Sequence, residues 1–270
     1  MNDVLPPLFG SRHERFKTVA VDAARKAGAI LQQYARSGFQ IEYKSVVNLV
    51  TDADHQAEQA IIDCILAAYP SHGIFAEERG RQLGTDSAFQ WIIDPLDGTT
   101  NFAHGYPAYC VSIGLEYEGQ GLLGVVYDPT RDELFTAVVG QGAYLNGTRL
   151  HVSDVQRLDQ ALLVTGFAYD IRDTPANNLD HFARFALRAQ GLRRTGTAAL
   201  DLCYVAAGRF DGFWELKLQP WDMAAGVVIL REAGGRVSNF KGGPLSIYDQ
   251  GLVASNGLIH EAMLAVLALG

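Results

Sequence analysis

The sequence predicts a layered α+β fold, and three observations lead there. Two amphipathic helical patterns open the chain. Closely spaced strands joined by hairpin turns follow, and helices mixed with strands fill the second half. Early hairpins favour antiparallel pairing, and the strands and helices do not alternate as a doubly wound parallel sheet requires.

From Arg15 to Tyr34 the residues Phe16, Val19, Ala20, Ala23, Ala27, Ile30, Leu31 and Tyr34 share one helical face. Gly38 is placed to stop that helix. Phe39 to Val47 reads as a strand or loop carrying Lys44. Ala57, Ala60, Ile61, Cys64, Ile65 and Ala68 define a second helix, with Thr51 and Asp54 at capping-box spacing and Pro70 closing it. Ile74 to Ala76 is a short strand ending at Glu77-Glu78. Trp91 to Ile93 is another, which Pro95 should end. Strands follow at Tyr109–Tyr117, Gly121–Tyr127, Glu133–Val139 and Ala143–Leu145, with a hairpin turn at Asn146-Gly147.

A second half begins near His151. It holds a strand at Ala161–Phe167, helices near Asn178–Ala189 and Thr197–Ala207, and a strand at Gly212–Leu216. A helix at Asp222–Ala233 is closed by Gly234-Gly235; a strand at Leu252–Ser255 and a helix from Leu258 complete the chain. The expectation is one domain over 1–270, with halves of roughly 1–150 and 151–270. The segment Gly119–Gly124 spells GxGxxG, but strand-like VVYDP follows where a dinucleotide site needs a helix, so it reads as a hairpin turn.

Composition narrows the function. The 270 residues are 48% hydrophobic and 19% charged, an ordinary globular balance. No apolar run approaches the ~20 residues of a membrane span, and MNDVLPPLFG lacks the pattern of a signal peptide. A net charge of −8 with no Lys/Arg block argues against nucleic acid as the main partner. Cys64, Cys110 and Cys203 lie far apart in apolar settings and read as free thiols. A cytoplasmic protein is expected.

Acids end several apolar runs. In WIIDPLDGTTNF, residues 91–102, a buried strand delivers Asp94, and Gly98 permits a turn that brings Asp97 to the same point. The Leu96 carbonyl lies between them, and the N–H groups from Gly98 to Thr100 can open a helix and cradle an anion. Glu77-Glu78 ends a separate strand, and Asp222 and Asp54 stand at helix starts. Oxygen donors of this kind suit Mg²⁺. As alternatives, Asp222 and Asp54 are simple N-caps, and Glu77-Glu78 is a solvated turn. The spacing of the two acids here is DxxDGT; haloacid-dehalogenase-type enzymes use DxDGT, which leaves their covalent chemistry as a minor alternative.

WIIDPLDGTTNF, together with PWDMAAG, FAEE, KSVVNLVTDAD, GTAALDLCYVAAG and REAGG, resembles the inositol monophosphatase family over nearly the whole chain. The resemblance implies an αβαβα sandwich, a homodimer, lithium sensitivity and two or three Mg²⁺ ions per site. It implies that Glu77, Asp94 and the Leu96 carbonyl hold one ion, that Asp94, Asp97 and Asp222 hold a second, and that Glu77 faces a third. Thr99 and Asp54 would position the attacking water. Gly98 and Thr99 amides would hold phosphate beside Asp97 and Asp222. Gly196, Thr197 and Ala198 would line the sugar ring, Glu215 would contact its hydroxyls, and Lys44 would sit on a flap.

A phosphate monoester carries about two negative charges, so neutralisation and positioning do most of the catalysis. The expected reaction is hydrolysis of inositol monophosphate by in-line attack of a metal-activated water, with no covalent nucleophile. Glu77 and Thr99 would orient and deprotonate that water, and Asp97 would place the water that protonates the leaving oxygen. Relatives of the same fold cleave fructose 1,6-bisphosphate, histidinol phosphate or phosphoadenosine phosphate. Glu215 favours a small phosphorylated polyol, because a carboxylate accepts hydroxyl hydrogen bonds and repels a second phosphate. Arg193-Arg194 is either a second anion site or a solvated pair. His104 has no assigned role. A protein that acts chiefly by binding a macromolecular partner is the non-enzymatic alternative.

Overall fold

The computed structural model describes residues 10–43, 49–249 and 251–269. Lys44 and the leader at residues 1–9 lie outside the described residues. The chain runs α1 (Gly10–Ser37), β1 (Ile41–Tyr43), β2 (Leu49–Thr51), α2 (Asp52–Ala68), β3 (His72–Ala76), β4 (Gly80–Gln82), β5 (Asp86–Asp97) and α3 (Thr99–Ala103). It continues through β6 (Cys110–Tyr117), β7 (Gln120–Asp128), β8 (Glu133–Val138), β9 (Gly142–Leu145), β10 (Thr148–Arg149), β11 (Leu162–Thr165), α4 (Leu179–Ala186) and β12 (Gly191–Arg193). It closes with α5 (Ala198–Ala206), β13 (Gly212–Leu216), α6 (Pro220–Glu232), β14 (Arg236–Ser238), β15 (Gly251–Ser255) and α7 (His260–Leu267).

These elements stack as helix, sheet, helix, sheet, helix. The larger sheet has the order β10-β9-β8-β7-β6-β5-β3-β4, and the smaller β12-β11-β13-β15-β14. On the outer face of the larger sheet, α1 supplies Ala20, Ala23, Ala27 and Leu31 and α2 supplies Ala57, Ile61 and Ile65. They pack on Trp91, Ile93, Ile113, Leu115 and Val125. The alanine stripe lets the helices approach the sheet closely.

Between the sheets lie α5 and α6. Leu202, Met223, Val227 and Ile229 meet Val126 and Phe135 of one sheet and Val164, Phe213 and Leu252 of the other. Eight consecutive α6 residues, Met223 to Leu230, are buried, as a helix covered on all sides requires. Beyond the second sheet, Phe185 of α4 and Met263 of α7 cover Leu163, Trp214 and Val253. Phe213 and Trp214 thus face opposite layers, the period-2 alternation of a strand between two helix layers.

The strand and helix order expected from the sequence holds, with differences that have local causes. Asn146 and Gly147 both have positive φ (48° and 81°), as a tight hairpin turn requires. The GxGxxG segment is the β6–β7 turn running into β7, with no helix after it. Pro95 does not end its strand. β5 continues to Asp97, and its pairing with β6 passes from Asp94↔Ser112 to Asp97↔Cys110. That step holds one more residue on β5 than on β6, so it is a bulge, the place in a strand where proline is tolerated. The short strands β4, β10, β12 and β14 carry too few residues for a periodic signal.

Candidate active site

β3 and β5 run parallel, with Ala76 opposite Ile93, and the Glu77 N–H donates to the Ile93 carbonyl at 3.1 Å. The ladder therefore sets Glu77 beside Asp94. The bulge after Asp94 then turns both Asp94 and Asp97 toward one cavity of about 390 Å³. Asp94 Oδ1 accepts from the Leu96 N–H at 3.0 Å, which fixes the turn. Gly98 has φ +97°, and a Cβ there would stand 2.9 Å from Thr197 Cγ2 and 3.0 Å from the Ala108 carbonyl. Both the conformation and the space call for glycine.

Thr99 opens α3 and is buried. Its hydroxyl lies 3.1 Å from the Leu96 carbonyl and 3.3 Å from Asp54 Oδ1. Asp54 stands behind Thr99, not on the cavity wall. Its Oδ2 accepts from the Thr51 N–H (2.8 Å) and Thr51 hydroxyl (2.6 Å), completing the expected capping box. Asp222 occupies the same third position of α6 and accepts from the Gln219 N–H at 2.7 Å. The N-caps are Thr51 and Gln219, so neither aspartate is an N-cap. Asp97 Oδ2 accepts from the Ala199 N–H of α5 at 2.7 Å, which leaves Oδ1 toward other partners.

Burial, then the charges of Glu77, Asp97 and Asp222, lift the Asp94 carboxyl well above its ordinary range. Burial raises Asp97 to about 7, opposed by the Ala199 amide. Asp222 lines the cavity, and burial with the Asp97 charge raises it to about 7, opposed by the Gln219 amide. Among the described residues, no three His, Cys, Asp or Glu side chains already close around an ion. The acids stand apart around the cavity, with the Leu96 carbonyl in the same wall. An oxygen-only donor set of carboxyls crowded around one cavity fits a hard divalent cation.

The far end of the cavity is lined by Gly196, Thr197, Ala198 and Glu215. Thr197 Oγ1 is buried with no hydrogen-bond partner among the described residues. Glu215 is buried, and burial followed by the Asp201 and Asp222 charges pushes its carboxyl up. A Cβ on Gly166 would collide with the Glu215 carboxylate, so glycine makes the room that group occupies.

The cavity thus gathers Glu77, Asp94, Leu96, Asp97, Gly98, Thr99 and Asp222 with Gly196, Thr197, Ala198 and Glu215. Of the arginine pair, Arg194 reaches the wall and Arg193 lies in β12. Glu77 lines the cavity, whereas the Glu78 N–H turns to Glu58 at 2.8 Å. His104 is exposed at the end of α3. Sequence reasoning missed Tyr169, Asp201 and Lys217 on the wall. Asp201, an acid inside the apolar helix AALDLCYVA, was the one with a signal.

The layered fold and this acid-lined cavity define a class of phosphate-ester hydrolases, and comparison with known proteins identifies which. A profile of the Inositol monophosphatase family matches residues 12–268. Inositol-1-monophosphatase of Synechocystis sp. is 46% identical over 270 residues, covering 99% of this chain and 94% of the relative. Nus factor SuhB of Escherichia coli is 47% identical over 249 residues, covering 92% and 93%. The solved inositol monophosphatase of Anabaena (Nostoc) sp. aligns with a TM-score of 0.87 at 46% identity, covering 94% of this chain and 95% of that one. The chain belongs to the inositol monophosphatase family.

Proposed function

We propose that the protein is an Mg²⁺-dependent phosphate monoester hydrolase that releases phosphate from inositol monophosphate. The observation that carries this is the single cavity with acids at one end and Glu215 at the other. The relative from Synechocystis, named for the same activity, supports it. Glu77, Asp94, the Leu96 carbonyl, Asp97 and Asp222 would hold two or three ions. Bound Mg²⁺ would supply Lewis acidity and neutralise the phosphate charge.

The protein's own groups do the rest. Thr99, held between Leu96 and Asp54, orients the attacking water, and Glu77 accepts its proton. The Gly98 and Thr99 amides hold phosphate oxygens. Asp97, with one oxygen tied to Ala199, uses the other to place the water that protonates the leaving alkoxide. Glu215 accepts hydrogen bonds from ring hydroxyls beside Gly196, Thr197 and Ala198. The working form is a cytoplasmic homodimer acting on a small phosphorylated polyol, without nucleic acid or membrane. Among the described residues, no helix is long and apolar enough to cross a membrane.

The test is phosphate release from inositol 1-phosphate, fructose 1,6-bisphosphate and histidinol phosphate, with Mg²⁺ and with or without lithium. Lithium-inhibited release, fastest from the inositol ester, is expected. Faster release from either other ester would move the function to that substrate.

The relative named Nus factor favours a second reading, in which binding a macromolecular partner is the main role. A folded Asp94→Asn variant that lacks hydrolysis yet restores the cellular role would establish that reading over catalysis.

A further inference from the structure

α2 carries two acids one turn apart on the same face, Asp54 and Glu58. Asp54 reaches Thr99. Glu58 has no exposed surface. Its Oε2 accepts from the Glu78 N–H at 2.8 Å, and its Oε1 stands 3.3 Å from Arg79 Nε. The next residue of α2, Gln59, accepts from Arg79 Nη2 through its Oε1. The helix therefore grips the two residues that follow Glu77.

A carboxylate in this place is costly. Burial lifts its pKa, opposed by the Glu78 and Arg79 backbone amides and by the half-exposed Arg79 guanidinium. Its neighbours on the helix, Ala57, Ile61 and Ile65, are apolar and buried. A leucine at 58 would continue that core without the penalty. The acid is thus explained by what it holds.

What it holds is the turn after Glu77. Glu77 lies one residue beyond β3, and the chain must reverse into β4 at Gly80, which has φ +71°. The bond from Glu77 N–H to Ile93 fixes one side of this residue. We propose that Glu58 fixes the other and is a positioning residue for Glu77. α2 then serves as one rigid rail that sets Thr99, through Asp54, and Glu77, through Glu58, at a fixed separation. Those are the two groups assigned to the attacking water, so this inference rests on the metal-dependent reading above.

The test compares wild type with Glu58→Leu, Glu58→Gln and Arg79→Ala. Mn²⁺ binding to the metal-stripped proteins is followed by the EPR signal of free Mn²⁺, alongside the Mg²⁺ dependence of phosphate release and the metal-free Tm. Glu58→Leu should weaken Mn²⁺ binding and raise the Mg²⁺ needed for half-maximal rate by about tenfold, the usual scale for groups that orient ligands. Glu58→Gln keeps an acceptor for the Glu78 N–H and should recover most of that loss. Arg79→Ala should weaken binding by a smaller factor at nearly unchanged Tm. Wild-type Mn²⁺ binding in Glu58→Leu overturns the proposal, as does failure of Glu58→Gln to rescue. If Glu58→Leu does not fold, unchanged binding in Arg79→Ala overturns it. A wild-type protein that binds no Mn²⁺ and needs no Mg²⁺ would instead overturn the metal-dependent reading itself.

Discussion

At one end of the cavity, Asp94, Leu96, Asp97, Gly98 and Thr99 come from a single turn, joined by Glu77 from the neighbouring strand. At the other end, Gly166, Arg194, Asp201, Glu215 and Lys217 come from separate strands, helices and loops of the second half. The acid end is fixed by backbone: a parallel ladder, a bulge and helix first turns. The Glu215 end is fixed by side chains packed on one another, such as Glu215 in the space left by Gly166. Under the proposed function, chemistry common to every phosphate ester would sit on the rigid part, and recognition of the leaving group on the part that substitution can reshape.

The largest effect should come from the acid end. Asp94→Asn should cut phosphate release by about a thousandfold, or ~4 kcal/mol of transition-state stabilisation, for every substrate alike. Its metal-free Tm should rise, because a buried carboxyl surrounded by like charges is relieved. Loss confined to the inositol ester, measured beside p-nitrophenyl phosphate, would break the division between the two ends.

Glu215→Gln should show the opposite selectivity. It should lower kcat/KM for inositol 1-phosphate by about thirtyfold, roughly 2 kcal/mol for a charged hydrogen bond. Turnover of p-nitrophenyl phosphate, which has no hydroxyls to recognise, should stay unchanged, as should Mn²⁺ binding. Gly166→Ala touches the reaction only by displacing Glu215, and should reproduce that pattern at about tenfold. Equal losses on both substrates would show that Glu215 is not a polyol contact.

The smallest effect is thermal. Asp97 and Asp222 titrate near 7 in the folded protein against an ordinary 3.8. The metal-free fold therefore binds more protons than the unfolded chain between about pH 4 and 7, and these groups lose it stability as pH rises through that window. His260, buried between Ser238 and Ser255 and lowered to about 4, acts in the opposite sense, losing stability as pH falls below about 6.5. The useful quantity is thus the difference in Tm with and without Mg²⁺, in which His260 cancels. That gain should be larger at pH 8 than at pH 5, by about 3–6 °C. A gain independent of pH would place Mg²⁺ away from these acids.

This contrast also explains what could be read in the sequence. Glu77 and Asp94 were legible because each ends an apolar run, where an acid stands out chemically; Asp97 follows in the same turn, and Asp222 stands at a helix start. The α6 pattern and the Asn146-Gly147 turn were legible for equally local reasons. Pro95 misled because a bulge, visible only in the pairing with β6, accommodates it. Tyr169 and Lys217 gave no signal, since loop residues acquire a role only through the elements they meet. Glu58 could have been found as an acid on the apolar face of α2, four residues from Asp54.

The central claim is that the acids gathered by β3, β5 and α6 make phosphate release depend on a divalent cation. The direct measurement is the rate of hydrolysis of inositol 1-phosphate by metal-stripped protein as Mg²⁺ is added back. The account predicts no release without metal and a saturable return of activity with it. Full activity in excess chelator would contradict it.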